Sequence, residues 1–207
     1  MGFEIINHLE YIYFDQSQED KAYLLVHGVR GGIDEAFIQT LLRKITARGD
    51  TVLACNFPYL TRGETVPSGG AFDEELNTLQ SAYDFLKGEG KMLIHIIAKS
   101  FGAIAVSHWL ARNPSIKDVS VNVMGYVTGE GMMIPDALHG RFSSVVQGEH
   151  DKYTTPDAVR AELRAHQVVG AVIEIPDADH SYRDMVNPNP APYAYQEKAI
   201  DALLTLI

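Results

Sequence analysis

The chain has one cysteine, Cys55, in 207 residues, which excludes an internal disulfide framework and a cysteine-built metal cluster. Cys55 ends the apolar run Thr51-Val-Leu-Ala-Cys55 and reads as a small buried hydrophobe rather than a reactive thiol. Basic residues are scarce too. The 17 Lys and Arg stand against 27 Asp and Glu, giving a formal charge of −10, and no Lys/Arg cluster breaks that balance. Nucleic acid and anionic membrane surfaces both need a basic face, so neither is an expected partner. No window approaches the ~18 consecutive apolar residues of a membrane span, and the amino-terminal residues lack the basic start and apolar core of a signal peptide. A soluble, cytoplasmic protein is expected. The chain also lacks G-x-x-x-x-G-K-[ST], G-x-G-x-x-G and H-E-x-x-H, which argues against a nucleotide, cofactor or metal site. Internal repeats and low-complexity segments are absent.

What is present is a 46% apolar fraction, enough to bury one sizeable core. The chain is read as one domain, residues 1–207. Apolar runs of strand length alternate with longer amphipathic stretches, the rhythm of a mostly parallel sheet covered by helices on both faces, a three-layer α/β/α sandwich. After an amino-terminal strand pair near 3–6 and 11–14, strands are expected at 22–26, 51–56, 92–97, 119–127, 143–147 and 168–175. Helices are expected at 34–48, 72–87, 101–112, from about 155 to 166, and at about 192–207. Phe72, Leu76, Leu79, Tyr83 and Leu86 give the second helix its spacing, and Gly88 reads as its stop. The Pro- and Asn-rich residues 187–192 read as a loop. In such an architecture the loops that follow strands gather at the carboxyl edge of the sheet, where chemistry is expected.

One of those loops carries the strongest motif. The apolar run Met92-Leu-Ile-His-Ile-Ile97 leads into Ala98-Lys-Ser-Phe-Gly102, a serine between small residues two positions either side. A serine at a sharp strand-to-helix turn takes a strained backbone conformation, and its flanking residues must be small for the helix to pack back on the strand. Ala98 stands where the usual G-x-S-x-G pattern has its first glycine. A serine hydroxyl is a poor nucleophile at neutral pH and needs a base within hydrogen-bond reach. Of the eight histidines, His180 follows the last apolar strand run in the polar turn Pro176-Asp-Ala-Asp-His180. The base in turn needs a carboxylate, and Asp151 follows an earlier strand in Gly148-Glu-His-Asp151; Glu149, Asp177 and Asp179 are neighbouring alternatives.

The chain order Ser100, Asp151, His180 is that of the α/β-hydrolase triad. With Leu25-Val-His-Gly28, Ala98-Lys-Ser-Phe-Gly102, Gly148-Glu-His-Asp151 and Asp179-His-Ser181, the chain resembles that superfamily over nearly its full length, most closely its small lidless members of dienelactone-hydrolase-like type. The resemblance implies the α/β-hydrolase fold without a cap domain, since residues 128–141 are too few for one. It also implies an oxyanion hole made by the N–H groups of Phe101 and of Val29, with Arg30 the alternative to Val29. His27 is expected to brace this loop. Tyr59, Leu60, Met132, Met133, Ile134 and Leu138 read either as an acyl pocket or as core contacts. Arg30, Arg62 and Lys99 read as scattered surface cations, with attraction of an anionic substrate group as the other reading. The expectation is a serine hydrolase acting on a small-molecule ester or thioester without cofactor. Amide or carbon–carbon hydrolysis by the same triad and a non-catalytic binding or scaffold protein are the rivals. The sequence does not disclose the oligomeric state.

Overall fold

The structure, a computed structural model, describes residues 4–6, 9–15, 19–186 and 194–207. Strands β1 (Glu4–Ile6) and β2 (Leu9–Phe14) pair antiparallel, and β2 lies antiparallel along β4 (Val52–Cys55). The other neighbours are parallel: β3 (Lys21–Val26), β4, β5 (Leu93–Lys99), β6 (Val119–Met124), β7 (Phe142–Gly148) and β8 (Ala171–Ile175). The spatial order is β1-β2-β4-β3-β5-β6-β7-β8. Helices α1 (Ala36–Ala47), α2 (Pro58–Thr61), α3 (Asp73–Gly88), α4 (Phe101–Arg112), α5 (Pro156–Ala165) and α6 (Ala194–Leu204) complete the expected three-layer α/β/α sandwich. The segment between β6 and β7 holds one short 3-10 turn, Pro135–Leu138, so no cap is inserted there.

Two apolar layers flank the sheet. Leu24 and Val26 of β3 belong to one buried cluster with Leu79 of α3, Val106 of α4 and Val159 of α5, while Tyr23 and Leu25 belong to the other with Phe37 and Leu41 of α1 and Leu203 of α6. Parallel strands covered on both faces are apolar at consecutive positions, which is why residues 22–26 of β3 read as an unbroken run and β5 as one interrupted only by His95. The order reverses at β3, whose neighbours are the next strand in sequence on one side and β5 on the other. The loops leaving β3 and β5 are therefore adjacent at the carboxyl edge, the usual place for a ligand crevice.

Boundaries moved where the backbone turns left-handed. Helix α3 runs through Gly88, and the residue that turns is Gly90 at φ 80°, with Lys91 N–H closing on Leu86 O at 3.0 Å. Strand β6 stops at Met124 because Gly125 turns at φ 76°, and Val168 folds back on α5 through its N–H to Leu163 O, leaving β8 to start at Ala171. The short helix α2 was not anticipated. Residues 187–192, expected as a loop, lie outside the described residues. Among the described residues, no helix is long and apolar enough to cross a membrane.

Two contacts tie the edge of β3 to its surroundings. A Cβ on Gly102, in the first turn of α4, would lie 2.5 Å from His27 O and 2.8 Å from Val26 O, both immovable backbone atoms. His27, 1% exposed, donates from Nδ1 to Gly28 O at 2.7 Å and accepts at Nε2 the N–H of Phe57 at 2.9 Å, so it braces the loop after β3 against the loop after β4. Burial pushes this imidazole down to about 4 from the usual 6.5, with the Gly28 hydrogen bond opposing.

Gly102→Ala should lower stability by roughly 1–3 kcal/mol through overpacking against backbone, read as a lower urea midpoint. His27 gives a pH signature. Its folded pKa is depressed, so its contribution is complete above 6.5 and is lost as pH falls toward 4. That loss is about 3 kcal/mol. In His27→Gln the decline of unfolding free energy between pH 7 and 4.5 should be shallower by that order; parallel curves for the two proteins would refute the assignment.

Candidate active site

Ser100 sits between β5 and α4 with φ 51° and ψ −117°, a conformation costing roughly 1–3 kcal/mol for a residue with a side chain. Its surroundings hold it there. Ser100 N–H donates to Met124 O of β6 at 3.0 Å, and Ser100 O accepts from Ala103 N at 2.9 Å and Ile104 N at 3.3 Å. Ala98 is fully buried, so its methyl group is accommodated where the usual motif has glycine.

Ser100 Oγ and His180 Nε2 are 2.8 Å apart, and His180 Nδ1 lies 2.5 Å from Asp151 Oδ2. The ionised carboxylate can only accept, so Nδ1 carries the proton and Nε2 is left to accept from the serine hydroxyl. The Asp151 side chain is fully buried and that of His180 is 11% exposed. Asp151 is held by two further donors: Gln147 Nε2 to Oδ2 at 2.7 Å and Tyr153 N–H to Oδ1 at 2.8 Å. Gln147 also donates to Thr154 O, and its Oε1 accepts from Tyr126 N, so one buried amide joins the ends of β6 and β7 to the acid.

The alternative acids are engaged elsewhere. Asp179 accepts from Ser181 N, Arg183 N and Arg183 Nε, which closes its own loop. Glu149 accepts from Asp177 N at 2.9 Å. With His150, Glu149 and Asp177 bring donor atoms within 4.8 Å of one another, a largely exposed grouping that no metal-ligand motif in the sequence marks.

Gly125, Gln147 and Tyr153 were missed by sequence reasoning. A Cβ on Gly125 would lie 2.9 Å from His180 Cε1, and the Tyr153 ring meets the imidazole edge-on at 4.7 Å. Each makes a contact between distant segments: Gly125 and Tyr153 with His180, and Gln147 with Tyr126. The one local signal was Gly125 itself, a glycine inside the strand expected at 119–127.

Phe101 is the first residue of α4, so its N–H is among the first-turn donors that no intrahelical carbonyl accepts. Its ring packs on Phe57, Tyr59 and Phe72. Val29 and Arg30 line the cavity over Ser100, and Val29 O accepts from Tyr59 OH at 2.8 Å. The loop's glycines serve packing rather than positive φ: Gly31 and Gly32 leave room for the Glu35 carboxylate and Asn56 Oδ1.

The cavity measures about 620 Å³, and its lining differs from the expected acyl pocket. Tyr59, Met132 and Met133 are not part of it. Tyr59 is fully buried with its hydroxyl committed to Val29 O, Met133 is a core residue at 7% exposure, and Met132 is surface-exposed with its carbonyl accepting from His108 Nε2. Charged groups line the cavity instead, including Arg30, Glu35, Lys99, Lys152 and Arg183. Lys99 is no surface cation: it is 6% exposed, with Nζ 5.3 Å from the Phe37 ring centroid and 5.7 Å from that of Tyr182. Arg62, by contrast, is exposed and paired with Glu64 and Glu74.

Residues 19–205 match the family described as alpha/beta hydrolase domain. No curated protein matches the chain. Among solved structures it is similar to a putative α/β hydrolase from Agrobacterium tumefaciens, with a TM-score of 0.73 and 18% identity over 94% of this chain and 89% of the other. It is also similar to an α/β serine hydrolase without lid from Xanthomonas campestris, with a TM-score of 0.68 and 17% identity over 96% and 86%. A Pyrococcus furiosus esterase aligns at a TM-score of 0.67 and 14% identity over 96% and 87%. At these identities the likeness is one of fold, whereas the family match spans well over half of the sequence: the chain belongs to the α/β-hydrolase domain family.

Proposed function

We propose that the protein is a serine hydrolase that cleaves a carboxylic ester or thioester through a covalent acyl-enzyme. The carrying observation is the unbroken chain from Ser100 Oγ to His180 at 2.8 Å and on to the buried Asp151 at 2.5 Å, opening on a cavity. Ser100 Oγ attacks the carbonyl carbon while its proton passes to His180 Nε2. Asp151 keeps the imidazole oriented and stabilises the cation that forms; it does not itself take the proton. The tetrahedral oxyanion is received by the N–H groups of Phe101 and Val29, each such donor contributing about 3–4 kcal/mol in comparable sites. As the carbonyl re-forms, the bond to the leaving group breaks and the alcohol or thiol departs with the proton from Nε2. Water then attacks the acyl-enzyme, again giving its proton to His180, and the acid product leaves as Ser100 regains its hydrogen. No step calls for a cofactor.

Exposure to a fluorophosphonate should add one adduct to the intact mass, and Ser100→Ala should abolish it. Turnover of a reactive aryl ester should fall by about 10⁶ in Ser100→Ala and about 10⁴ in Asp151→Asn. A folded parent that takes up no label, or variants as active as the parent, would overturn the proposal.

A further inference from the structure

Lys99 stands apart from the other buried cations. Lys91 and Arg141, each 5% exposed, are both satisfied: Lys91 pairs with Asp15 at 2.9 Å, and Arg141 donates to the carbonyls of Ile116, Ala137 and Pro114. Lys99 is as deeply buried, yet among the described residues its Nζ makes no hydrogen bond and no ion pair, only the ring contacts with Phe37 and Tyr182. It lines the cavity directly beside Ser100. An ammonium with so little access to water is stabilised when an anion or a set of acceptors completes it.

The resident carboxylates do not fill that role. Asp151 is taken by His180, Gln147 and Tyr153, and Asp179 by Arg183. Glu35 is the remaining acid in the lining, but it forms no ion pair with Lys99 and rests against Gly31, where a Cβ would lie 1.9 Å from its Oε2. Burial raises the Glu35 carboxyl above its ordinary value, which weakens it further as a counter-ion. Burial lowers the Lys99 ammonium, and the nearby Glu35, Asp151 and Asp179 oppose that shift. Arg30 and Lys152 add positive charge to the lining without a carboxylate partner among the described residues.

We infer that the cavity is built for an ester or thioester that carries a carboxylate close to its scissile carbonyl, with Lys99 Nζ as the counter-ion of that carboxylate and Arg30 at its outer side. This rests on the serine-hydrolase reading. It specifies anionic esters such as half-esters of short dicarboxylic acids over neutral esters of matched length. The charge recognised is the same whether it sits on the acyl or the leaving group.

The test compares kcat/KM for an aryl hemisuccinate and the matching aryl butyrate on the acyl side, and for the acetates of 3-hydroxybenzoate and of its methyl ester on the leaving side. In the parent, one pair should favour the anion by about tenfold or more, and Lys99→Met, which keeps chain length and packing, should lower that ratio about tenfold. Active sites are counted by fluorophosphonate titration, so a fall in folded protein does not enter the ratio. Calorimetry of the parent with glutarate and with neutral glutaramide needs neither turnover nor a variant, and glutarate alone should bind. Equal rates for charged and neutral esters in a parent that does label would overturn the anion subsite and leave the hydrolase reading standing. Glutarate binding by a parent that takes no label would overturn the hydrolase reading instead. A preference that survives Lys99→Met but is lost in Arg30→Gln would overturn the assignment to Lys99.

Discussion

The approach of α4 to the end of β3, open only because Gly102 has no side chain, sets the position of the groups around Ser100. With Val26 O and His27 O packed against that glycine, the helix begins directly above the strand end. The chain leaving β5 must then turn within one residue, and Ser100 takes the left-handed conformation that results. The strain there is offset by the nine buried residues of α4 and by the hydrogen bond of Ser100 N–H to β6. The same contact brings the His27–Gly31 loop beside Ser100, and Gly28, Val29, Arg30 and Gly31 line the cavity there. His27 then binds that loop to the β4 side, and Tyr59 fastens it again through Val29 O.

A second close approach places the other half of the site. A Cβ on Gly148 would lie 2.5 Å from the carbonyls of both Ala178 and Asp179, so the turn after β7 and the turn after β8 meet backbone to backbone. Asp151 and His180 are carried on those two turns, and their contact follows from it. Gln147 serves the acid and the end of β6 together, which makes the carboxylate part of a fully satisfied buried network rather than an isolated charge. Such networks hold one geometry because every alternative leaves a buried group without a partner.

Much of this was readable from the residues and some was not, for physical reasons. Strands buried on both faces announce themselves as apolar runs, so β3 and β5 were found within a residue or two. Small residues around Ser100 mark a turn that nothing larger permits. By contrast, Gln147 and Gly125 sit inside expected strand runs, and their contacts with Tyr126 and His180 depend on how segments distant in the chain meet. Tyr59 and Met133 illustrate the converse error. An apolar residue in a loop near the site looks like pocket lining, but a large ring or thioether gains more from full burial, so both went into the core. Lys99 was misjudged because residue type predicts exposure for lysine, whereas at the end of a central strand it is 6% exposed and lines the cavity.

That placement reconciles two charges of opposite sign. The chain carries a formal charge of −10, which at long range repels an anion, while the cavity beside Ser100 is lined by Lys99, without an ion pair among the described residues, and by further cations. The first effect fades over the Debye length, about 8 Å at physiological ionic strength, because it arises from dispersed surface groups in water. The second acts at contact, inside a partly enclosed space where solvent screens little and the attraction between unit charges is several times that in bulk water. An anionic group that reaches the mouth is therefore governed by Lys99 and Arg30 rather than by the net charge. Selectivity of this kind lies in the bound complex, where it bears on the reacting carbonyl, and not in the encounter.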